Sequence, residues 1–240
     1  MLIKYMGKIG IIGLGKVGGV LAFQLLEKNY DISVYDINEE YLKAQILDLE
    51  DAFNKKIEIK QIKEMKECEL IVICAGVPRK ENQTREDLFE INKKIIESIL
   101  NELEGYEGKI ITITNPVDKI NEIVARKFGK ENSFGFGGEL DKSRVMNEAG
   151  KEIEVRGIHG EKLILSEQQE IMGKVKERNN FIIKNKGYTE YGPAKKLCEL
   201  IEILMKKKDG KYTCSIMQED GKSIQIPVEF EKGKIKKLFI

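Results

Sequence analysis

The run Lys8-Ile9-Gly10-Ile11-Ile12-Gly13-Leu14-Gly15-Lys16-Val17-Gly18-Gly19 carries the reading of the fold. Its first five residues make a short apolar stretch of the kind a buried strand uses. Three glycines follow as Gly13-x-Gly15-x-x-Gly18, and then Val17, Val20, Leu21, Gln24, Leu25 and Lys28 recur at helical steps. Strand, glycine turn and helix are therefore expected in succession. Working outward, Ile32 to Tyr35 reads as a second strand that stops at Asp36, and a helix follows over Glu39 to Glu50. Leu70-Ile71-Val72-Ile73-Cys74 has the continuous apolarity of a strand buried on both faces. Thr84-Arg85-Glu86-Asp87 has the form of a capping box, opening a long amphipathic helix through Leu88, Ile91, Ile95, Ile99 and Leu103. Ile110 to Thr114 is another buried strand, ended by Asn115-Pro116. Strands and helices alternating at this spacing predict an α/β fold with a doubly wound parallel sheet.

The pattern changes after about Gly138. Helical periodicities at Leu140 to Ala149, Glu167 to Lys186 and Pro193 to Lys207 mix with strands. The segments Tyr212 to Gln218, Ser223 to Phe230 and Lys234 to Ile240 read as an antiparallel meander with turns at Asp220-Gly221 and Lys232-Gly233. The expected organisation is an N-terminal domain over 1–138 and a smaller α+β domain over 139–240, with no flexible linker, internal repeat or low-complexity segment.

The 240 residues are 41% hydrophobic and 34% charged, which fits a globular protein with a densely charged surface. Forty-one Lys and Arg against forty Asp and Glu leave a net charge of +1, so charge gives no case for nucleic acid or an anionic membrane as partner. The Lys and Glu richness fits ion-pair networks of a heat-adapted protein and fits genomic base composition equally well. Cys68, Cys74, Cys198 and Cys214 form no CxxC pair, and with one histidine in the chain no metal site is expected. Cys74 and Cys198 lie within apolar segments and are expected to be buried. Free thiols, no signal-peptide pattern at Met1-Leu2-Ile3-Lys4-Tyr5 and no membrane-length apolar run point to a cytoplasmic protein.

Strand, Gly13-x-Gly15-x-x-Gly18 and helix, with Asp36 ending the next strand, make a dinucleotide-binding pattern. The first glycine makes the tight turn, the second admits the pyrophosphate and the third lets helix and strand pack closely. The free N–H groups of the helix start face the phosphates. Asp36 would accept from the adenosine ribose hydroxyls and repel a 2′-phosphate, which favours NAD over NADP. The bland alternative is a tight turn without a ligand.

Further polar residues sit where buried elements end. Ala75-Gly76-Val77-Pro78-Arg79-Lys80 leaves a strand at the carboxyl edge, where open α/β sheets bind ligands, and so does Asn115-Pro116. Asp141 and Arg144 are three apart and share a helix face. His159 is the only histidine, in Gly157-Ile158-His159-Gly160-Glu161, and histidine is the side chain that exchanges protons near neutrality. Each has an ordinary reading: a packed or surface histidine, a solvated arginine, an exposed ion pair.

Together these segments resemble the lactate/malate dehydrogenase family over nearly the whole chain. The matching stretches, in order, are Gly13-x-Gly15-x-x-Gly18, Asp36, Ala75 to Lys80 with Arg85-Glu86-Asp87-Leu88, Asn92 and Thr114-Asn115-Pro116-Val117-Asp118. They continue with Leu140-Asp141-x-Ser143-Arg144, Gly157-x-His159-Gly160 and Lys186-Gly187-x-Thr189-x-Tyr191-Gly192. The resemblance implies NAD held by Gly13, Gly15, Lys16, Val17, Gly18, Asp36, Ala75, Gly76, Asn92 and Asn115. It implies His159 as proton donor and acceptor, Asp141 orienting the imidazole, and Arg85 polarising the reacting carbonyl. Arg144 would fork onto the substrate carboxylate, and Asn115 and Thr189 would line the site. Family members often carry a cis peptide at the matching Asn-Pro bond. An arginine at the position of Arg79 goes with a second substrate carboxylate, where glutamine goes with pyruvate. The implied substrate is thus a small dicarboxylate, malate or oxaloacetate, and the implied assembly a homodimer or homotetramer.

The chain departs from the family by a shorter second half. The segments on both sides of His159 are compressed, and no final helix follows Leu238-Phe239-Ile240. Ile158 and Glu161 stand where relatives usually have Glu and Asp, and Lys80-Glu81-Asn82 stands for Lys-Pro-Gly. Two other readings remain open at this point: a dehydrogenase of lactate or another 2-hydroxy acid, and an NAD-binding sensor or structural protein. Retention of His159, Asp141, Arg144, Arg85 and Arg79 speaks against the last.

Overall fold

The computed structural model describes residues 7–78 and 83–239. Six parallel strands are β1 (Lys8–Ile12), β2 (Asp31–Tyr35), β3 (Glu58–Ile59), β4 (Leu70–Ile73), β5 (Lys109–Thr112) and β6 (Ser133–Gly135), in the spatial order β3-β2-β1-β4-β5-β6. Helices α1 (Lys16–Glu27), α2 (Glu39–Phe53), α3 (Arg85–Glu102) and α4 (Val117–Phe128) provide crossovers, with a 3-10 turn at Ile62–Glu67 before β4. The chain reverses its winding direction at β1, which lies between β2 and β4, so a crevice opens at their carboxyl ends. Both faces of this sheet are covered. Ile9, Ile11, Leu21, Leu25, Val34 and Leu42 belong to one core, and Ile12, Ile71, Ile73, Ile96, Ile110 and Ile120 to the other.

The second half comprises α5 (Gly138–Ala149), β7 (Val155–Ile158), β8 (Lys162–Leu165), α6 (Met172–Lys186), α7 (Tyr191–Met205), β9 (Gly210–Met217), β10 (Ser223–Glu231) and β11 (Lys234–Leu238). Strand β9 runs antiparallel to β6 through the pair Gly135–Ser215 and carries the sheet onward. Strand β10 pairs with β9 on one edge and with β7 and β11 on the other. Among the described residues this makes one 11-stranded sheet, parallel at one end and antiparallel at the other. Gly138 opens α5, and the sheet continues past it. Helix α7 packs on α1, and buried Phe134 and Phe230 meet across the join with ring centroids 6.0 Å apart.

Most of the expected elements are present. Thr84 caps α3 by accepting the Asp87 N–H at 3.1 Å, and the Asp87 carboxylate accepts the Thr84 N–H at 3.1 Å, closing the capping box. The β10–β11 turn places Lys232 and Gly233 at φ 50° and 72°, the two left-handed residues such a hairpin requires. Helix α4, strand β6 and the β7–β8 hairpin are additions to the sequence reading. The helix expected from Glu167 begins as α6 only at Met172, after a 3-10 turn at Gln169–Ile171. Gln168 at φ 55° is left-handed and cannot continue a right-handed helix. Cys74, expected to be buried, is partly exposed at the carboxyl end of β4, and all four thiols are free.

Phe134 lies in the parallel part and Phe230 in the antiparallel part, so their contact couples the halves. Phe134→Ala is expected to destabilise the protein by about 3–5 kcal/mol. Ile164→Ala, at an exposed position on β8, should stay within about 0.5 kcal/mol of the parent. Urea unfolding reads both, and coincident midpoints for the two variants would contradict the assignment of the join.

Candidate active site

The crevice is built from the loops after β1, β4 and β5. Gly13 has φ 95°, and a Cβ there would lie 2.6 Å from the Ala75 backbone nitrogen. Only glycine lets the two loops approach so closely. A Cβ on Gly18 would lie 2.1 Å from the Gly13 oxygen, whereas one on Gly15 would meet nothing within 4 Å. The loop is thus closed on its protein side and open at Gly15, as a phosphate cradle needs. Gly15 caps α1 without a side-chain hydrogen bond, and no acidic residue occupies the first turn, which contains Lys16 and Val17. The uncapped amides and the positive end of the helix dipole suit an anion. Asp36 Oδ2 accepts the Leu14 N–H at 2.8 Å and Oδ1 accepts the Asn38 N–H at 3.0 Å. A carboxylate accepts about four hydrogen bonds, so acceptor capacity remains for a ribose. These residues fit a dinucleotide.

The other loops are pinned together by a buried amide. Asn92, on α3, donates from Nδ2 to the carbonyls of Asn115 at 2.7 Å and Val77 at 3.2 Å, and its Oδ1 accepts the Val77 N–H at 2.9 Å. Thr114 Oγ1 donates to the Ala75 carbonyl at 2.6 Å. Gly76 lies against Thr114, and the Asn115-Pro116 peptide is cis. Asn115 itself is exposed at this edge.

The proton-active pair lies beyond this edge. Asp141 stands in the first turn of α5, and His159 at the turn between β7 and β8. His159 Nδ1 lies 2.6 Å from Asp141 Oδ2. A carboxylate only accepts, so Nδ1 carries the hydrogen and Nε2, which has no partner among the described residues, is left to exchange a proton. The Asp141 side chain is 4% exposed and that of His159 15%. Gly137 makes the contact possible, since a Cβ there would lie 2.7 Å from the imidazole Cγ. Burial works against the imidazolium. Asp141 and Asp118 outweigh burial and the nearby Arg144 guanidinium, so His159 titrates above its ordinary value.

Arg144 Nη1 is 3.3 Å from Asp141 Oδ1, leaving the rest of its fork for another carboxylate. Arg85 reaches the turn after His159: Nη1 pairs with Glu161 Oε1 at 2.7 Å, and Nη2 donates to the Gly160 carbonyl. The structure thus gathers His159, Asp141, Arg144 and Arg85 at one place. Thr189 is half-buried two residues before α7, and no hydrogen bond joins it to this group among the described residues. The neighbouring Tyr188 ring lies instead over Lys16 of the glycine loop, 4.8 Å from Nζ. Arg79 lies outside the described residues.

Three residues outside the sequence-based set belong to this environment: Asp118, Gln225 and Glu161. Asp118 accepts the His159 backbone N–H at 2.8 Å and the Gln225 side-chain amide at 2.8 Å. The only sequence signal was the position of Asp118 in Thr114-Asn115-Pro116-Val117-Asp118. Gln225 gave none, being one polar residue in an alternating strand. No described helix is long and apolar enough to cross a membrane.

Asp141→Asn removes the nearest negative charge and leaves the burial. The imidazolium of His159 should then be lost at lower pH than in the parent. Proton NMR reads this directly because the chain has a single imidazole. An unchanged midpoint would refute the coupling.

Residues 7–135 match the family model described as the lactate/malate dehydrogenase NAD binding domain. An L-lactate dehydrogenase of Clostridium perfringens is 29% identical over 263 aligned positions, covering 91% of this chain and 83% of the relative. A malate dehydrogenase of Archaeoglobus fulgidus is 29% identical over 227 positions, covering 82% and 77%. The solved structure of malate dehydrogenase from that organism, in complex with NADH, superposes with a TM-score of 0.85 at 25% identity, covering 97% of this chain and 91% of the other. With its glycine cradle, its Asp36 and this match over more than half its length, the chain belongs to the lactate/malate dehydrogenase family of NAD-dependent 2-hydroxy acid dehydrogenases.

Proposed function

We propose that this dehydrogenase interconverts malate and oxaloacetate, with His159 as the proton donor and acceptor. The observation that carries the chemistry is the His159–Asp141 contact of 2.6 Å, with Nε2 free among the described residues and Arg144 alongside. When bound, NADH supplies the hydride to the carbonyl carbon. His159 Nε2 delivers the proton to the carbonyl oxygen, and takes it back from the hydroxyl in the oxidative direction. Asp141 holds the ring and stabilises its charged form. Arg144 forks onto the C1 carboxylate, and Arg85, docked beside His159, polarises the carbonyl. Asn115 and Thr189 line the remaining walls. Gly13, Gly15, Lys16, Val17, Gly18, Asp36, Ala75, Gly76 and Asn92 hold the cofactor. Residues 1–138 are assigned to cofactor binding and 139–240 to substrate and proton.

Arg79 supports the dicarboxylate. The resemblance puts an arginine at this position with a second substrate carboxylate, and oxaloacetate brings that counter-charge where pyruvate does not. A lactate-type substrate is the second reading, since both kinds of dehydrogenase occur among the relatives. The free cysteines suit a cytoplasmic setting. The assembly expected with this reading is a homodimer or homotetramer.

NADH oxidation with oxaloacetate and pyruvate tests the substrate. Oxaloacetate should be preferred, and Arg79→Gln should shift the kcat/KM ratio towards pyruvate by at least about 100-fold. A ratio that does not move would remove Arg79 from the substrate site and the malate assignment with it.

A further inference from the structure

Asp118 and Gln225 link the two pieces of chain that carry the proton pair. Asp118 lies in the first turn of α4 and is 4% exposed. Its Oδ2 accepts the backbone N–H of His159 at 2.8 Å, and its Oδ1 accepts the Gln225 Nε2 amide at 2.8 Å. Gln225, fully buried on β10, accepts the backbone N–H of Gly138 on Oε1 at 2.8 Å. Gly138 is the first residue of α5, one turn before Asp141. One buried polar chain thus runs from the backbone of His159 to the start of the helix that carries its partner.

Burying a carboxylate is costly, and an asparagine could satisfy the His159 N–H without that cost. Burial raises the Asp118 carboxyl pKa, while Ser215, the His159 N–H, the imidazolium and the Gln225 amide all favour the ionised form, in which both oxygens accept. The charged groups around the His159 ring and its turn are Asp141 and Arg144 from α5, Asp118 from α4, Arg85 from α3, and Glu161 on the turn itself. Asp118 is the second carboxylate acting on the imidazole.

We propose that Asp118, together with Gln225, is a positioning residue for proton transfer: it fixes His159 and the start of α5 in one register and supplies a second negative charge to the imidazole. The proposal rests on His159 being the proton partner. It draws support from the rise in the His159 pKa, to which Asp118 contributes after Asp141.

Two variants test it. In Asp118→Asn the chain has one acceptor too few, because the introduced amide can serve His159 or Gln225 but not both. The double variant Asp118→Asn with Gln225→Glu reverses the middle link. The asparagine oxygen then accepts from His159, its amide donates to the new glutamate, and that glutamate accepts the Gly138 N–H. Every bond is restored, while the charge sits one residue further from the ring.

Asp118→Asn should lower kcat for oxaloacetate reduction about 10- to 100-fold while NADH affinity holds within about twofold. Its imidazole should titrate at lower pH by proton NMR. The double variant should recover kcat to within about threefold of the parent and regain stability, since coupled partners show their interaction only when changed together. A folded Asp118→Asn in which either kcat or the titration stays in place overturns the proposal. So does a double variant no more active or stable than the single one. If Asp118→Asn does not fold, the double variant decides alone: turnover within about threefold of the parent supports the link, and loss of turnover or of folding refutes it. The NMR titration needs no turnover, so it separates this proposal from the assignment of His159.

Discussion

The hydrogen bond between His159 Nδ1 and Asp141 Oδ2 joins an antiparallel hairpin to a helix that leaves the parallel sheet. A carboxylate buried to this extent persists only if it is paired and hydrogen-bonded, and Asp141 meets both conditions through His159 and Arg144. The pairing has a consequence for the ring. With Nδ1 committed, the tautomer and orientation are set, and Nε2 is the nitrogen through which a proton can pass. Gly137 is needed because any side chain there would push the ring off this position.

The cofactor crevice and the proton pair are connected by one short segment. Thr114 ties to the Ala75 loop, Asn115 gives its carbonyl to Asn92, and Asp118 takes the N–H of His159. The stretch from Thr114 to Asp118 therefore runs from the edge of the NAD-binding crevice to the imidazole. The doubly wound sheet supplies the crevice through its reversal at β1, and the antiparallel extension through β9 and β10 brings the hairpin of His159 to the same edge. Chemistry needing a hydride on one side and a proton on the other is served by a sheet that changes character between them.

The first half of this architecture was legible in the chain because its strands are apolar runs and its helices are periodic. The glycine spacing and Asp36 likewise announced the crevice. Helix α4 has Val117, Ile120, Val124 and Ala125 at helical steps and could have been read; what no periodicity shows is that Asp118 and Asn121 share its buried face. Their partners lie on β9, β10 and the β7–β8 turn, up to 107 residues away, and no hydropathy pattern records such a link. Strand β6 is three residues long and leaves no periodicity to detect. The His159–Asp141–Arg144–Arg85 group could be named from residue types in a familiar order, but its distances could not. The seat of Arg85 on Glu161 is the clearest case, because two exposed charges 76 residues apart look like ordinary surface in a sequence this rich in Lys and Glu.

Single-turnover reduction of oxaloacetate by the NADH-loaded enzyme, compared between the parent and His159→Asn, addresses the central claim most directly. Asparagine can still accept or donate a hydrogen bond but cannot carry a transferable proton near neutrality. The account predicts NADH binding close to that of the parent and hydride transfer slowed by about 100- to 10,000-fold. Hydride transfer within a few-fold of the parent in a folded His159→Asn would contradict it.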